Sequence, residues 1–185
     1  GFTILFGVHT AYWMHLDKDL KEIKVAKAVI GNPKEWGVDE TDQTVFSNKT
    51  AILTEYTGKI GSDGHVEIPQ FINGYLIIGL GPQIFQYRLD IKTVTFHEGL
   101  MDIGRNAFVG CSNLESIGEL PNTLTTIGES AFESCSKLLG KIEGSIEGEG
   151  SVLIKSGVLY GMNSFKNCPK ITGNIGKAME LLLPN

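Results

Sequence analysis

The strongest constraint on the fold is a repeat in the second half of the chain. Residues 103–114 read IGRNAFVGCSNL and return as IGESAFESCSKL at residues 127–138, with seven of twelve positions identical. Fainter copies surround Phe85 and Phe165, so that the phenylalanines are spaced by 23, 24 and 33 residues. A unit of this length cannot bury its own apolar side, and successive units therefore have to stack and share one core. The period predicts a mainly β solenoid of about four short coils.

Within each unit, apolar residues stand at fixed offsets that predict an inward-facing ladder. Phenylalanine, cysteine and an aliphatic residue follow each other at intervals of three, which indicates a tight coil with all three side chains inside. The alternation in Lys92–Phe96 predicts a short strand with Val94 and Phe96 inside, pairing in parallel with the strands of neighbouring units. A glycine precedes the phenylalanine by four residues and predicts a tight backbone turn there (Gly81, Gly104, Gly128, Gly161). The predicted ladder consists of Phe85, Phe108, Phe132, Phe165, Cys111, Cys135 and Cys168.

The first third of the chain lacks the repeat and predicts other local structures. Apolar residues alternate through Phe2–Val8, which suggests a strand. Gly31-Asn32-Pro33 ends a predicted amphipathic helix, whose apolar stripe is Leu16, Leu20, Ile23, Ala26 and Ile30. Ala51–Tyr56 and His65–Ile68 surround Gly61-Ser62-Asp63-Gly64 and predict a β-hairpin.

These segments divide the chain into three expected parts. Residues 1–47 form a non-repeat cap with a strand and one helix, residues 48–175 form the repeat region, and residues 176–185 form a C-terminal cap or tail. An insertion interrupts the repeat near residues 140–160 and is acidic, with Glu143, Glu147 and Glu149. We interpret it as a loop, and leave open whether it binds a cation.

Composition narrows the classes of function. Lys and Arg number 16 against 21 Asp and Glu, a net charge of −5, which argues against nucleic-acid binding. No apolar run reaches the roughly 20 residues that a membrane-spanning helix requires. An export signal is not recognisable either, but since the chain starts at Gly1 and not at Met, this has no bearing on where the protein resides.

The repeat resembles the BspA-like leucine-rich repeat family. Its consensus has isoleucine-glycine, alanine-phenylalanine, cysteine and leucine at the offsets found in residues 103–114 and 127–138, followed by an isoleucine-proline strand. Phe96-His97 departs from that strand motif. The resemblance covers about residues 50–175 and implies a leucine-rich-repeat fold. Family members are typically bacterial cell-surface or secreted proteins associated with adhesion, so it also implies an extracellular or cell-surface location.

No residue pattern predicts catalysis, a metal site or a cofactor. The three cysteines lack a partner ligand two to four residues away, which metal sites normally have, and an odd number cannot form a closed set of disulfides. Buried, unreactive side chains are the simpler interpretation. His9, His15, His65 and His97 share no spacing and are interpreted as surface or strand residues. Asp39-Glu40-Thr41-Asp42 lacks the ordered spacing of a calcium loop and is interpreted as a solvated link.

The sequence therefore favours a non-enzymatic protein-interaction module, with an adhesin-like role implied by the resemblance. Its partner is expected to be a protein, such as an extracellular-matrix or host-surface protein; its identity and the oligomeric state stay open. Outward residues of the predicted strands are the candidate contacts, namely Lys92, Thr93, Thr95, Glu115 and Ser116. The alternative is a structural spacer whose residues 1–47 dock or oligomerise through Trp13 and Trp36, although packing of these tryptophans against the first coil is the simpler interpretation. An enzyme would require an active site within those 47 residues.

Overall fold

The described part of the chain consists of short β-strands and turns, with no helix. A computed structural model describes residues 12–14, 23–25, 28–41, 49–143, 150–152 and 158–173. Its strands are β1 (Tyr12–Met14), β2 (Ile23–Val25), β3 (Trp36–Glu40), β4 (Thr50–Tyr56), β5 (His65–Glu67), β6 (Phe71–Ile72), β7 (Tyr75–Leu80), β8 (Thr93–Thr95), β9 (Asp102–Ile103), β10 (Thr126–Ile127), β11 (Gly140–Glu143), β12 (Gly150–Val152), β13 (Leu159–Tyr160) and β14 (Ile171–Gly173).

One side of the repeat stack is a sheet with one strand from each coil. Its order is β13-β10-β9-β7-β4-β3, and every pair from β4 to β13 is parallel. Strand β3 pairs antiparallel with β4, and β6 pairs antiparallel with β7. Consecutive units thus pair in parallel, as the repeat predicts.

The opposite side of the coils carries shorter parallel pairings. Strands β5 and β8 pair in parallel, and Thr93 bridges onward to Ser116 on the next coil. Further along, β11 pairs in parallel with β14 and antiparallel with β12, which belongs to the insertion. Each unit therefore sends one segment to each side of a shared interior.

The interior is built on a column of stacked phenylalanines. The ring centroids of Phe85, Phe108, Phe132 and Phe165 are 5.2, 5.2 and 5.4 Å apart in succession, and all four side chains are fully buried. Trp36, only 7% exposed, packs edge-on to Phe85 at 5.9 Å and thereby closes the N-terminal end of the column. This agrees with the prediction that Trp36 packs against the first coil.

The glycine four residues before each phenylalanine is required by close approach between coils. A Cβ atom on Gly104 would lie 2.5 Å from the carbonyl oxygen of Leu80, and one on Gly128 would lie 2.6 Å from the backbone nitrogen of Arg105. The predicted turn begins at these glycines, since the amides of Ala107 and Ala131 donate to the carbonyls of Gly104 and Gly128 at 3.1 and 3.2 Å. Neither glycine has a positive φ, so close approach and not left-handed backbone is what requires glycine here.

Left-handed backbone occurs instead two residues before and two residues after the phenylalanine. There φ lies between 54° and 71° at Gln83, Asn106, Ser130, Asn163, Tyr87, Gly110, Ser134 and Asn167. These paired turns wind the chain tightly around each phenylalanine.

The predicted N-terminal helix is wrong where the structure describes it. Strand β2 (Ile23–Val25) pairs antiparallel with β1, and Ile30 forms an isolated bridge with Phe71. Alternation of β-branched residues in Ile23-Lys24-Val25 favours a strand, and this local preference competes with the helical spacing. The other stripe residues (Leu16, Leu20, Ala26) and the strand predicted at residues 2–8 lie outside the described residues.

The predicted hairpin between residues 51 and 68 is also wrong, although both strands and the turn exist. The amide of Gly64, with a φ of +70°, donates to the carbonyl of Gly61 at 3.0 Å. However, β4 pairs with β3 and β7, whereas β5 pairs with β8. The turn carries the chain from one side of the coil to the other, where β5 pairs with the equivalent strand of the next coil.

Candidate functional site

The five residues predicted to contact a partner lie on the side of the coils formed by β5, β8 and the segment at Ser116. We call the outward side of these three segments the strand face. Lys92, Glu115 and Ser116 are exposed, and Thr93 and Thr95 are half-buried. Val66 and Val94 alternate with the outward residues and are buried in the core. The period of two along a strand therefore separates the face from the interior.

Backbone hydrogen bonds bring these residues together from two consecutive coils. The amide of Glu115 donates to the carbonyl of Lys92 at 2.7 Å, and the amide of Val94 donates to the carbonyl of Ser116 at 3.0 Å. The Thr93–Ser116 bridge lies between these two bonds. The outward side chains thus project from adjoining, backbone-bonded segments.

A cluster of three titratable side chains, not predicted as a site, lies at the N-terminal end of the strand face. One carboxylate oxygen of Glu67 is 2.7 Å from His97 Nε2, and the other is 3.2 Å from His65 Nε2. The Nδ1 atom of His65 is 2.7 Å from the hydroxyl of Thr93. We call His65, Glu67 and His97 the histidine–glutamate cluster.

The sequence contains one signal for this cluster. His65 and Glu67 alternate with Val66, just as Thr93 and Thr95 alternate with Val94. In the structure His65 is opposite Thr93 and Glu67 is opposite Thr95, which completes the match. The cluster is apparent only when the two strands are paired in this register.

The electrostatics of the cluster favour the ionised carboxylate. Partial burial acts to raise the pKa of Glu67, but hydrogen bonds from His65 and His97 oppose this and hold it below its ordinary value. Glu67 is therefore ionised at neutral pH, and one negative charge lies between two imidazole rings.

The cysteines occupy positions that suppress their chemistry. Each thiol donates to the carbonyl of the phenylalanine one coil earlier: Cys111 to Phe85 at 3.0 Å, Cys135 to Phe108 at 3.2 Å and Cys168 to Phe132 at 3.0 Å. All three are free and buried, and burial raises the pKa of Cys111 and of Cys168 to about 12 and that of Cys135 further. A thiol that stays protonated is a poor nucleophile and a poor metal ligand.

The described residues contain no grouping of three or more His, Cys, Asp or Glu side chains placed to hold a metal ion. Asp39 and Glu40 are exposed on β3, while Asp42 lies outside the described residues. The acidic side chains of Glu143, Glu147 and Glu149 in the insertion also lie outside them. Nothing described in the structure forms a helix that could span a bilayer.

Comparison with solved structures shows the same fold in bacterial leucine-rich repeat proteins. A T. pallidum leucine-rich repeat protein superposes with a TM-score of 0.60 at 22% identity, over 78% of this chain and 64% of the other. A Bacteroides capillosus leucine-rich repeat protein superposes with a TM-score of 0.57 at 23% identity, over 80% of this chain and 99% of the other.

A third similar structure is a leucine-rich cell-surface protein from Faecalibacterium prausnitzii, with a TM-score of 0.56 at 20% identity, over 78% of this chain and 42% of that one. The chain thus spans less than two thirds of the T. pallidum and F. prausnitzii proteins. A search of curated proteins finds no match.

The sequence itself matches a family model described as a BspA-type leucine-rich repeat region. The match covers residues 78–175, just over half of the chain, and contains six copies of the repeat. It includes both strong repeats, the interior phenylalanine column and most of the strand face. The chain therefore belongs to the BspA-type leucine-rich repeat family.

Proposed function

We propose that this chain is a non-enzymatic protein-binding module that uses its strand face to contact a protein partner, at the cell surface or outside the cell. The observation that supports this most directly is the arrangement of Lys92, Thr93, Thr95, Glu115 and Ser116. They project from backbone-bonded segments of two coils over a continuous buried core. A rigid support of this kind lowers the entropy lost when a partner binds.

The surface location and an adhesive role are supported by membership of the BspA-type family, whose members are typically cell-surface or secreted proteins associated with adhesion. The F. prausnitzii structure with the same fold is described as a cell-surface protein. An extracellular-matrix or host-surface protein is accordingly the partner class to examine first.

The alternative role, a spacer that docks through residues 1–47, has less support. Trp36 was one of its two aromatic contact candidates, and it packs against Tyr56 at 4.5 Å and against Phe85. A buried tryptophan at the end of the core column is not available to a partner.

The test is a binding array of extracellular-matrix proteins and surface glycans probed with the intact chain. For any partner found, Lys92→Glu combined with Glu115→Lys is expected to weaken binding at least about tenfold, because charge complementarity across the interface is reversed. Unchanged binding would exclude the strand face.

A matched control is available on the opposite side of the coils. Arg105 and Glu129 are both exposed, with Arg105 Nε 3.9 Å from a carboxylate oxygen of Glu129. Arg105→Glu combined with Glu129→Arg also preserves the net charge. This double variant is expected to bind like the wild type.

A further inference from the structure

The strand face is a sheet side that is open to the outside across three successive coils. Glu67 and Gly118 are exposed, and Thr95 between them is half-buried. Glu67 lies opposite Thr95 in the pairing of β5 with β8. The bridge between Thr93 and Ser116 lies two residues earlier on both segments, so Gly118 is the neighbour of Thr95 on the next coil.

Most of the net charge of the chain is on this face. Its three segments, residues 63–67, 92–98 and 115–119, contain five Asp and Glu residues and one lysine. They carry a net charge of −4, with histidine counted as neutral, whereas the whole chain carries −5. A partner that approaches the face therefore meets a negative potential.

The charge is distributed unevenly along the strands. Asp63, Lys92 and Glu115 lie where the strands begin, and there the charges are of both signs. Further along the same three segments, three carboxylates follow without any lysine or arginine. We call this part of the strand face its acidic half, and it consists of Glu67, Thr95, Glu98, Gly118 and Glu119.

The centre of the acidic half is low and lies between carboxylates. Thr95 has a short side chain, and Gly118 has none. A Cβ atom on Gly118 would lie 3.8 Å from the carbonyl oxygen of Val94, so the space above this glycine is open among the described residues. The methylene chain of a lysine or arginine can lie across such a surface while its charged end reaches a carboxylate at the edge.

Two of the carboxylates are positioned by hydrogen bonds within the molecule. Glu67 accepts from His97 at 2.7 Å, and Glu98 accepts from the amide of Asn122 at 2.8 Å. Partial burial acts to raise the pKa of Glu67, but its bonds from His65 and His97 hold that pKa below its ordinary value, so the charge is present at neutral pH. Charged groups that are already fixed lose little entropy when a partner binds.

The arrangement of the carboxylates favours a polypeptide over a metal ion. The part of the chain that the structure describes contains no grouping of three or more His, Cys, Asp or Glu side chains placed to hold a metal ion. The negative charges act instead at separate points along an open sheet side. Several cationic side chains on one partner segment match that distribution, by the charge complementarity that protein interfaces use.

We propose that the acidic half of the strand face binds a lysine- or arginine-rich segment of the protein partner. This inference rests on the proposed function, because it names the chemistry of the group recognised at the same face.

The experiment measures binding of the full chain to immobilised poly-L-lysine at about pH 7.5, where carboxylates and lysine are charged, at low ionic strength and in the presence of EDTA. Glu67→Gln combined with Glu119→Gln is expected to weaken binding about tenfold, because two attractive charges are lost near the contact. Glutamine at residue 67 keeps an oxygen that accepts from His97. Unchanged binding would overturn the proposal.

A matched control lies on the other sheet, where Asp39 on β3 and Glu55 on β4 are exposed. Asp39→Asn combined with Glu55→Gln changes the net charge by the same amount. This variant is expected to bind poly-L-lysine within about twofold of the wild type, because its charges are distant from the contact. A loss as large as that of the Glu67/Glu119 variant would show that only net charge matters, and would refute the proposal.

A third variant guards against a folding defect in the first. Thr95→Glu adds a carboxylate at the centre of the acidic half and is expected to tighten binding to poly-L-lysine about threefold, which a folding defect cannot do. Thr54→Glu, at an exposed position of β4, adds the same charge elsewhere and should have a smaller effect. Equal or weaker binding by Thr95→Glu would contradict the proposal.

Failure of the proposed function has a different signature. In that case no protein on the array binds, while poly-L-lysine still distinguishes the Glu67/Glu119 variant from its control. The converse result is an array protein whose binding is weakened by the exchange of Lys92 and Glu115 but not by the Glu67/Glu119 variant. That result would support the proposed function and refute the basic segment as the group recognised.

Discussion

The interior column and the strand face occupy the same coils but follow different rules. Inside, phenylalanine recurs at four successive coils with centroids 5.2–5.4 Å apart. Outside, the residue seven positions after the phenylalanine is Lys92, then Glu115, then Leu139, although their backbones are joined by the same hydrogen bonds. Stacking therefore restricts what faces inward and leaves the outward residue free to vary. Under the proposed function, a partner would be selected by residues that contribute little to the fold.

The strongest test of that contrast is truncation inside the column. Phe108→Ala is expected to lower the free energy of unfolding by about 3–5 kcal/mol, since it leaves a cavity between two rings that cannot close without separating the coils. Chemical denaturation measures this. Lys92→Ala, on the face of the preceding coil, should change stability by no more than about 0.5 kcal/mol. Similar losses for the two variants would contradict the division between column and face.

A second test addresses the space between coils. Gly128→Ala is expected to cost about 1–3 kcal/mol, because the new Cβ would lie 2.6 Å from the backbone nitrogen of Arg105 and the coils would have to separate. Thermal or chemical unfolding of the variant provides the measurement.

Gly79→Ala is the control for this substitution. A Cβ at Gly79 would lie 3.4 Å from the side chain of Ile52 and 3.8 Å from the carbonyl oxygen of Asp102, both ordinary contact distances. Its stability should stay close to that of the wild type, and a loss as large as that of Gly128→Ala would show that any added methyl group, not coil spacing, is responsible.

The smallest effect is expected on the face itself, where Glu67 links stability to pH. Its pKa is lower in the folded protein than the roughly 4.3 of an unfolded chain, so its stabilising contribution is present above that value and is lost as the pH falls through the folded pKa. Relative to wild type, Glu67→Gln should lose at most about 1 kcal/mol at pH 6 and progressively less under acid conditions.

The histidines provide the control for that measurement. In a background of His65→Gln and His97→Gln, the pKa of Glu67 should return toward its ordinary value. The pH-dependent difference caused by Glu67→Gln should then shrink. An undiminished difference would show that other groups stabilise the carboxylate.

The repeat period made the buried interior positions predictable from the sequence. The pairing of the strands was less predictable, because it depends on contacts between residues distant in the sequence. The positions of Phe108 and Phe132 follow from the period alone, since equivalent residues of stacked units must coincide. The hairpin prediction was wrong because a turn at Gly61–Gly64 determines only a local reversal, whereas His65 finds its partner Thr93 28 residues later. At residues 23–25, where the structure describes part of the predicted helix, the prediction was wrong because the spacing around Ile23 fits a helical period and strand alternation alike.

The candidate residues of the strand face were predictable to the same extent: those evident within one strand could be identified, and those brought together by strand pairing could not. Thr93 and Thr95 were recognisable as outward residues from their alternation with Val94, without knowledge of the partner strand. The histidine–glutamate cluster was not recognisable, because His65 and His97 come together only through the register of β5 and β8.

The thiol-to-carbonyl bonds have a consequence for how the molecule loses its structure. The thiol of Cys135 donates to the carbonyl of Phe108 and that of Cys168 to the carbonyl of Phe132, so each of these bonds joins a coil to its immediate predecessor. Stability in such an array is a sum over nearest-neighbour contacts, and unfolding spreads from an end one unit at a time. Amide exchange is therefore expected to be slower in the coils of Phe108 and Phe132, which have stacked neighbours on both sides, than in the last described coil, that of Phe165.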